Sequence, residues 1–160
     1  MAIPRKVIKV YSDKCTACKT CEIECAIAHS EGGSMEAIIA SGEQPEYRIR
    51  VQVKKNKNVP LNCKMCVNAA CIKACPTNAM RRLSDGAPVL LDKKLCDLCM
   101  ACVEACPFNA LWLSKDEKSI IKCDLCIRRQ AQKLEPACVA SCPTNALELH
   151  VVEKKKQPVK

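Results

Sequence analysis

The 160-residue chain is predicted to be an α+β protein in which short strands and helical turns surround four cysteine groups. Three observations carry that expectation. Sixteen cysteines sort without remainder into four groups of four. Three of those groups end in one shared decapeptide frame, the mark of a structural unit used repeatedly. The apolar share of 49% counts those cysteines, and the aromatic residues are limited to Tyr11, Tyr47, Phe108 and Trp112. A core of ordinary packing would use more bulk, so something other than side chains is expected in the middle.

The elements follow in chain order. "KVIKVY" (6–11) alternates as a strand. The first group, Cys15, Cys18, Cys21 and Cys25, is spaced x2, x2, x3 and closes as "CEIECAIAHS" without a proline. Residues 30–46 have turn formers at both ends and read as a loop or insertion with one helical turn. "YRIRVQV" (47–53) is a second strand, followed by Cys63, Cys66, Cys71 and Cys75, spaced x2, x4, x3. Residues 78–92 read as a hairpin about Asp85-Gly86. The third group, Cys96, Cys99, Cys102 and Cys106, repeats x2, x2, x3, and residues 109–123 form a second hairpin. Cys123, Cys126, Cys138 and Cys142, spaced x2, x11, x3, lead into a last strand over 145–153, and "EKKKQPVK" is a solvated tail. "CIKACPTNAM", "CVEACPFNAL" and "CVASCPTNAL" each begin as a helical turn that the proline helps to end.

Thiolates at i, i+3 and i+6 on a looped backbone converge on one face of a cubane, and the same backbone turns its N–H groups toward the sulfurs. The x3 step puts the fourth cysteine on a turn that points away. In a C-x2-C-x2-C-x3-C-P run that fourth residue ligates the other cluster of a pair. Structural zinc sites use two separated C-x2-C knuckles around one ion, a pattern the first and third groups do not follow. The fourth group alone would be ambiguous, and its shared CPTNAL ending decides it. Disulfides are disfavoured because "MAIPRKVIKVYSDK" has no apolar signal core or cleavage site. No stretch reaches transmembrane length. A soluble, cytoplasmic protein is the expectation.

The formal charge of +9 counts every cysteine as neutral. Four thiolates on an oxidised [4Fe–4S] core carry about −2, so four such centres would cancel nearly all of the surplus. A nucleic-acid footprint is not expected, and a zinc-stabilised interaction module binding nucleic acid is the alternative of another class. No nucleophile–base constellation and no phosphate loop appears, so no active site is expected.

The sixteen-cysteine pattern, with x4 in the second group and x11 in the fourth, resembles the four-cluster electron-transfer subunits of the dimethyl sulfoxide reductase family over residues 6 to 150. It is similar to the soluble iron–sulfur subunits associated with carbon monoxide dehydrogenase, formate hydrogenlyase and tungsten aldehyde oxidoreductase. The resemblance implies two pseudo-symmetric ferredoxin-like dyads. The outer one would comprise residues 1–58 plus 107–160 (groups one and four), and the inner one residues 59–106 (groups two and three).

It also implies four [4Fe–4S] clusters. Cluster one would be held by Cys15, Cys18, Cys21 and Cys142, and cluster two by Cys63, Cys66, Cys71 and Cys106. Cluster three would use Cys96, Cys99, Cys102 and Cys75, and cluster four Cys123, Cys126, Cys138 and Cys25. The implied function is single-electron transfer between a large catalytic redox subunit and a second donor or acceptor. That catalytic subunit would be of molybdenum or tungsten enzyme, hydrogenase or carbon monoxide dehydrogenase type. A free polyferredoxin shuttle or a maturation factor is the alternative within the class, and end-to-end stacking of copies is a further expectation. The long insertions and C-terminal membrane helix of many relatives are absent from this sequence.

Several residues outside the ligand set invite a role. His29 and His150 are expected to be hydrogen-bonding rather than ligating, the ligand set being complete. Met65 and Met100 should fill space beside the clusters. Trp112 should pack in the core or at an interface. Lys64, Lys73, Lys93, Lys94 and Lys122 lie beside ligands in sequence, where they can tune potentials or steer an acidic partner. The lysine run 154–156 belongs to the tail, with partner docking as its second reading.

Overall fold

The computed structural model describes residues 4–152. The chain closes on itself. Strand β1 (Arg5–Val10) pairs antiparallel with β8 (Leu147–Val152), Ile8 opposite Leu149 and Val10 opposite Leu147. The Tyr11 amide continues the ladder to the Ala146 carbonyl at 2.8 Å. This pairing sets the loop of Cys15 beside that of Cys142, although 127 positions of sequence divide them.

The two expected hairpins form. Strands β4 (Met80–Arg82) and β5 (Val89–Leu91) pair around a turn that carries Gly86 at φ 84°. Strands β6 (Leu111–Leu113) and β7 (Ile120–Lys122) make the second. A third hairpin was not anticipated. It joins β2 (Arg50–Lys54) to β3 (Lys57–Leu61), with Pro60 facing Val51. Proline is tolerated there because β3 is an edge strand whose lost N–H costs no interior ladder bond.

Helix α1 (Thr20–Ala28) packs on α6 (Ala137–Ala140), and α3 (Ala70–Lys73) on α4 (Ala101–Glu104). Residues 30–46, read as a loop with one helical turn, hold a seven-residue helix, α2 (Met35–Ser41). Ser34 caps it, accepting the Ala37 amide at 3.2 Å, and Gly42 ends it at φ 67°, where a Cβ would be strained. Inside the x11 interval of the fourth group, α5 (Ile127–Ala131) was likewise unanticipated. The tail at 153–160, with its lysine run, lies outside the described residues.

The shared decapeptide has a concrete geometry. In each copy the asparagine amide returns to the cysteine carbonyl four-residue-turn fashion: Asn78 to Cys75, Asn109 to Cys106 and Asn145 to Cys142, at 3.4, 3.2 and 3.2 Å. Proline supplies the second turn position. The asparagines then take left-handed φ values of 55°, 47° and 51°, a region asparagine tolerates better than most residues. The following alanines, Ala79, Ala110 and Ala146, are each 1% exposed. The chain there passes so close to its surroundings that only a methyl fits, and the next residue starts a strand.

The apolar interior has two parts. Ile8, Ile49, Val51, Met65, Leu125 and Leu147 gather with cysteines of the first, second and fourth groups. Met80, Val89, Leu111 and Ile120 gather with cysteines of the second and third. Trp112 lies against Tyr47, ring centroids 6.1 Å apart, with the Arg50 guanidinium 4.5 Å above it, so packing is its role.

Asn145→Val should destabilise the chain by about 1–2 kcal/mol, because a β-branched side chain resists left-handed backbone, whereas Asn145→Gly should be near neutral. The guanidinium midpoint for loss of native circular dichroism in holoprotein reads both.

Candidate metal centres

The C-x2-C loops are bent by residues that rarely adopt left-handed backbone. Ala17 (φ 57°) and Lys19 (φ 60°) flank Cys18, and Leu98 (φ 61°) and Met100 (φ 63°) flank Cys99 in the same way. Met65 (φ 46°) precedes Cys66, and Leu125 (φ 62°) precedes Cys126, itself at φ 51°. Each such residue costs about 1–2 kcal/mol, which persists only where the surroundings over-determine it. Alternating right- and left-handed residues aim successive amides into one concavity, a setting that favours negative charge.

Those loops bring the thiols together in fours. One small cavity is lined by Cys15, Cys18, Cys21 and Cys142. A second is lined by Cys63, Cys66, Cys71 and Cys106, and a third by Cys75, Cys96, Cys99 and Cys102. The remaining four, Cys25, Cys123, Cys126 and Cys138, are all buried, and the Cys138 thiol is pushed up by burial and then by Cys123, Cys25 and Cys126. In every set, three sulfurs come from one group and the fourth from another.

The sets also adjoin one another. The Cys138 thiol feels Cys21 of the first set, Cys123 feels Cys63 of the second, and Cys102 feels Cys71 across the second and third. Cys18 and Cys99, in the two outermost sets, are exposed.

The electrostatics require a counter-charge. Burial first, then neighbouring Glu22 and Cys142, pushes the Cys21 thiol up to about 12. Burial with Cys96 and Cys71 raises Cys102 to about 11. Without metal these thiols stay protonated, so binding must release protons.

Other donors favour thiolate. At Cys142 burial opposes ionisation, but the amides of Ala146 and Thr144 and the Thr144 hydroxyl outweigh it, with Ala146 N 3.2 Å from Sγ. Cys75 is lowered by the same balance, with Met80 N 3.4 Å from its Sγ and the Thr77 hydroxyl at 3.7 Å. At Cys75 and Cys142 the shared decapeptide therefore delivers a sulfur and an amide to bond it. Four sulfurs per cavity, amides aimed at sulfur and apolar walls fit a thiolate-bound cluster.

Around the buried set a second layer forms. His29, 11% exposed at its side chain, places Nδ1 2.7 Å from the Cys25 carbonyl and Nε2 3.0 Å from Asp124 Oδ1. The ring also lies 3.7 Å from Cys25 Sγ and 3.9 Å from Cys126 Sγ. Arg48 pairs with the other Asp124 oxygen at 2.8 Å and donates its own amide to Cys25 Sγ at 3.2 Å. His29, Asp124 and Cys126 lie close enough to hold an ion, but Cys126 belongs to a sulfur set and the other two are engaged with each other. His29 is thus a hydrogen-bonding residue, as its position after Cys25 suggested. Met65, 1% exposed, fills space beneath the second set, while Met100 is half-buried in its loop and His150 is exposed on β8.

Two lysines approach sulfur from within. Lys64 Nζ donates to Asn62 Oδ1 at 2.9 Å, and Lys122, 6% exposed, donates to the Cys123 carbonyl at 2.8 Å with Cys63 Sγ 3.6 Å away. Lys73, Lys93 and Lys94 make no such approach among the described residues.

With this geometry in place, the comparisons with known proteins are decisive. Residues 55–152 match the 4Fe-4S dicluster domain and residues 12–28 a 4Fe-4S binding domain. The chain belongs to the 4Fe-4S dicluster family. The polyferredoxin-like subunit of an aliphatic sulfonate oxidoreductase from Pyrococcus furiosus is 35% identical over 121 residues, 74% of this chain and 64% of the relative. An iron-sulfur protein of Rhodospirillum rubrum is 34% identical over 96 residues, 59% of this chain and 50% of the relative. The chain thus spans one half to under two thirds of those relatives. A chain of the BamBC complex of benzoyl coenzyme A reductase shares the fold, with TM-score 0.51 and 21% identity over 98% of this chain and 84% of that one. The dicluster chain therefore binds [4Fe–4S] clusters through its cysteines. Among the described residues no helix is long and apolar enough to cross a membrane.

Asp124→Ala strands His29 and Arg48 beside the sulfurs of Cys25 and Cys126. It should lower stability by about 3 kcal/mol, read as a lower guanidinium midpoint for bleaching of the visible cluster absorbance.

Proposed function

We propose that this dicluster chain is a four-cluster electron-transfer subunit of an oxidoreductase complex. It would carry single electrons between a catalytic redox subunit and a second donor or acceptor. The observation that carries this reading is the arrangement of the sulfurs: four sets of four, each closed by a cysteine from another group, each set adjoining the next. When bound, [4Fe–4S] clusters exchange one electron each.

The ligand sets are Cys15, Cys18, Cys21 and Cys142; Cys63, Cys66, Cys71 and Cys106; Cys96, Cys99, Cys102 and Cys75; and Cys123, Cys126, Cys138 and Cys25. Their adjacency supports the order one, four, two, three, with the exposed Cys18 and Cys99 marking the two ends. Electron exchange with partners then takes place where the protein cover is thinnest, and the buried interior sets are shielded. The contacts of α1 with α6 and of α3 with α4 support two pseudo-symmetric dyads, residues 1–58 plus 107–160 and residues 59–106.

The similarity to a sulfonate oxidoreductase subunit and to formate hydrogenlyase subunit 2 of Escherichia coli (35% identical over 88 residues, 38% of that chain) supports a large catalytic partner. A reducing compartment such as the cytoplasm keeps sixteen thiols available for iron. No residues outside the clusters form a reaction centre in this reading, so the protein's part is spacing, burial and hydrogen bonds to sulfur.

Protein purified without oxygen should contain about sixteen irons and sixteen acid-labile sulfides per chain, four of each per cluster. Zinc near four without sulfide would overturn the reading. Cys106→Ala should damage the cluster of Cys63, Cys66 and Cys71 and spare that of Cys96, Cys99 and Cys102, resolved by low-temperature electron paramagnetic resonance. Removing iron with a chelator should abolish the cooperative thermal transition, because metal binding supplies folding energy the apolar residues lack.

A further inference from the structure

Lys122 ends strand β7 and is 6% exposed, yet among the described residues it takes no part in the ion pairs His29–Asp124, Arg48–Asp124 and Arg81–Asp92. A buried ammonium without a partner is costly. Lys122 donates hydrogen bonds to the Cys123 carbonyl, at 2.8 Å, and to Cys63 Sγ, at 3.6 Å. Cys123 belongs to cluster four and Cys63 to cluster two. The negative charge that compensates this cation is therefore that of the two cluster sites.

Resting on the four-cluster reading, we propose that Lys122 is a fixed positive charge at the junction between the two dyads, favouring the reduced forms of clusters two and four together. Reduction adds one electron to a centre and makes or breaks no bond of the protein, so the added negative charge is stabilised by any cation that does not have to move. Lys122 is held by β7 pairing on one side and by the carbonyl of the next residue on the other. It faces one ligand from each dyad, so it lifts both sites and keeps the crossing between them from becoming a step uphill. Lysines on the surface would be screened by salt, but one this deeply buried is not.

The test uses holoprotein with Lys122→Met, which keeps the apolar stem, and Lys122→Gln, which retains a donor for the Cys123 carbonyl and loses only the charge. Redox titration followed by electron paramagnetic resonance resolves the one-electron steps, with iron and sulfide measured on the same samples. Wild type should show four clusters. In each variant two steps should become at least tenfold less favourable, about 59 mV lower for one electron, at low and at high salt alike. The other two steps should not move, and Lys122→Arg should hold all four near wild type. If wild type lacks four clusters, the functional reading itself fails. If four clusters are present and either variant leaves every step unmoved, or all four fall together, the role of Lys122 is refuted and the functional reading stands.

Discussion

Everything in this fold depends on holding four thiols within reach of one another, four times over, in a chain that gains little by doing so on its own. Thiols such as Cys21 and Cys102, pushed up to about 12 and 11, are neutral when no metal is bound and gain little by proximity. As thiolates they repel. Only a positively charged centre turns each quartet from a liability into the strongest set of bonds in the molecule. That explains the thin apolar interior, in which Ile49, Met65, Met80, Leu125 and Val89 are the only large apolar side chains below 2% exposure among the described residues. It also explains why left-handed Ala17, Lys19, Leu98 and Met100 are tolerated. A backbone bent at a cost of about 1–2 kcal/mol per residue would be held by thiolate–metal bonds at both ends of each bend.

The closing of each quartet by a distant cysteine turns local loops into a tertiary structure. A loop supplying all four sulfurs would bind its centre and leave the rest of the chain free. Here the fourth sulfur must arrive from elsewhere, and the β1–β8 ladder, the α1–α6 contact and the α3–α4 contact are what deliver it. The Pro-x-Asn-Ala turn performs the delivery. It stops the helix, reverses the chain, and passes a strand over the buried alanine, while an amide bonds the sulfur just presented at Cys75 and Cys142.

Much of this was legible because the informative residues are local. The cysteine spacings, the decapeptide and the Asp85-Gly86 turn each carry their geometry within a few positions, and both hairpins following the decapeptide form where alternation placed them. The left-handed asparagines were implicit in a motif that repeats asparagine at one fixed offset. What escaped was set by long-range contacts or masked by composition. Strand β3 contains Pro60 and opens on Lys57 and Asn58, neither a strand former. Helix α2 was hidden by its glycine- and serine-rich flank, although Ser34 and Gly42 were its cap signals. Asp124 gave no sign of joining His29, 95 residues away, because a single aspartate inside a C-x2-C loop has the same appearance whether it faces solvent or an imidazole.

The same distinction separates the lysines. Lysines flank cysteines throughout the chain, and nothing in the sequence orders them by importance. Strand periodicity sends Lys122 inward with Ile120, and all three residues of β7 are buried. Arg48, half-buried near the sulfurs, answers to Asp124. Among the described residues Lys122 has no such carboxylate, and a carboxylate there would cancel the field that the two sites of the proposed dyads would otherwise share. In the proposed electron-transfer role the chain has few means of control beyond the placement of fixed charge, and Lys122 would stand where the two proposed dyads meet.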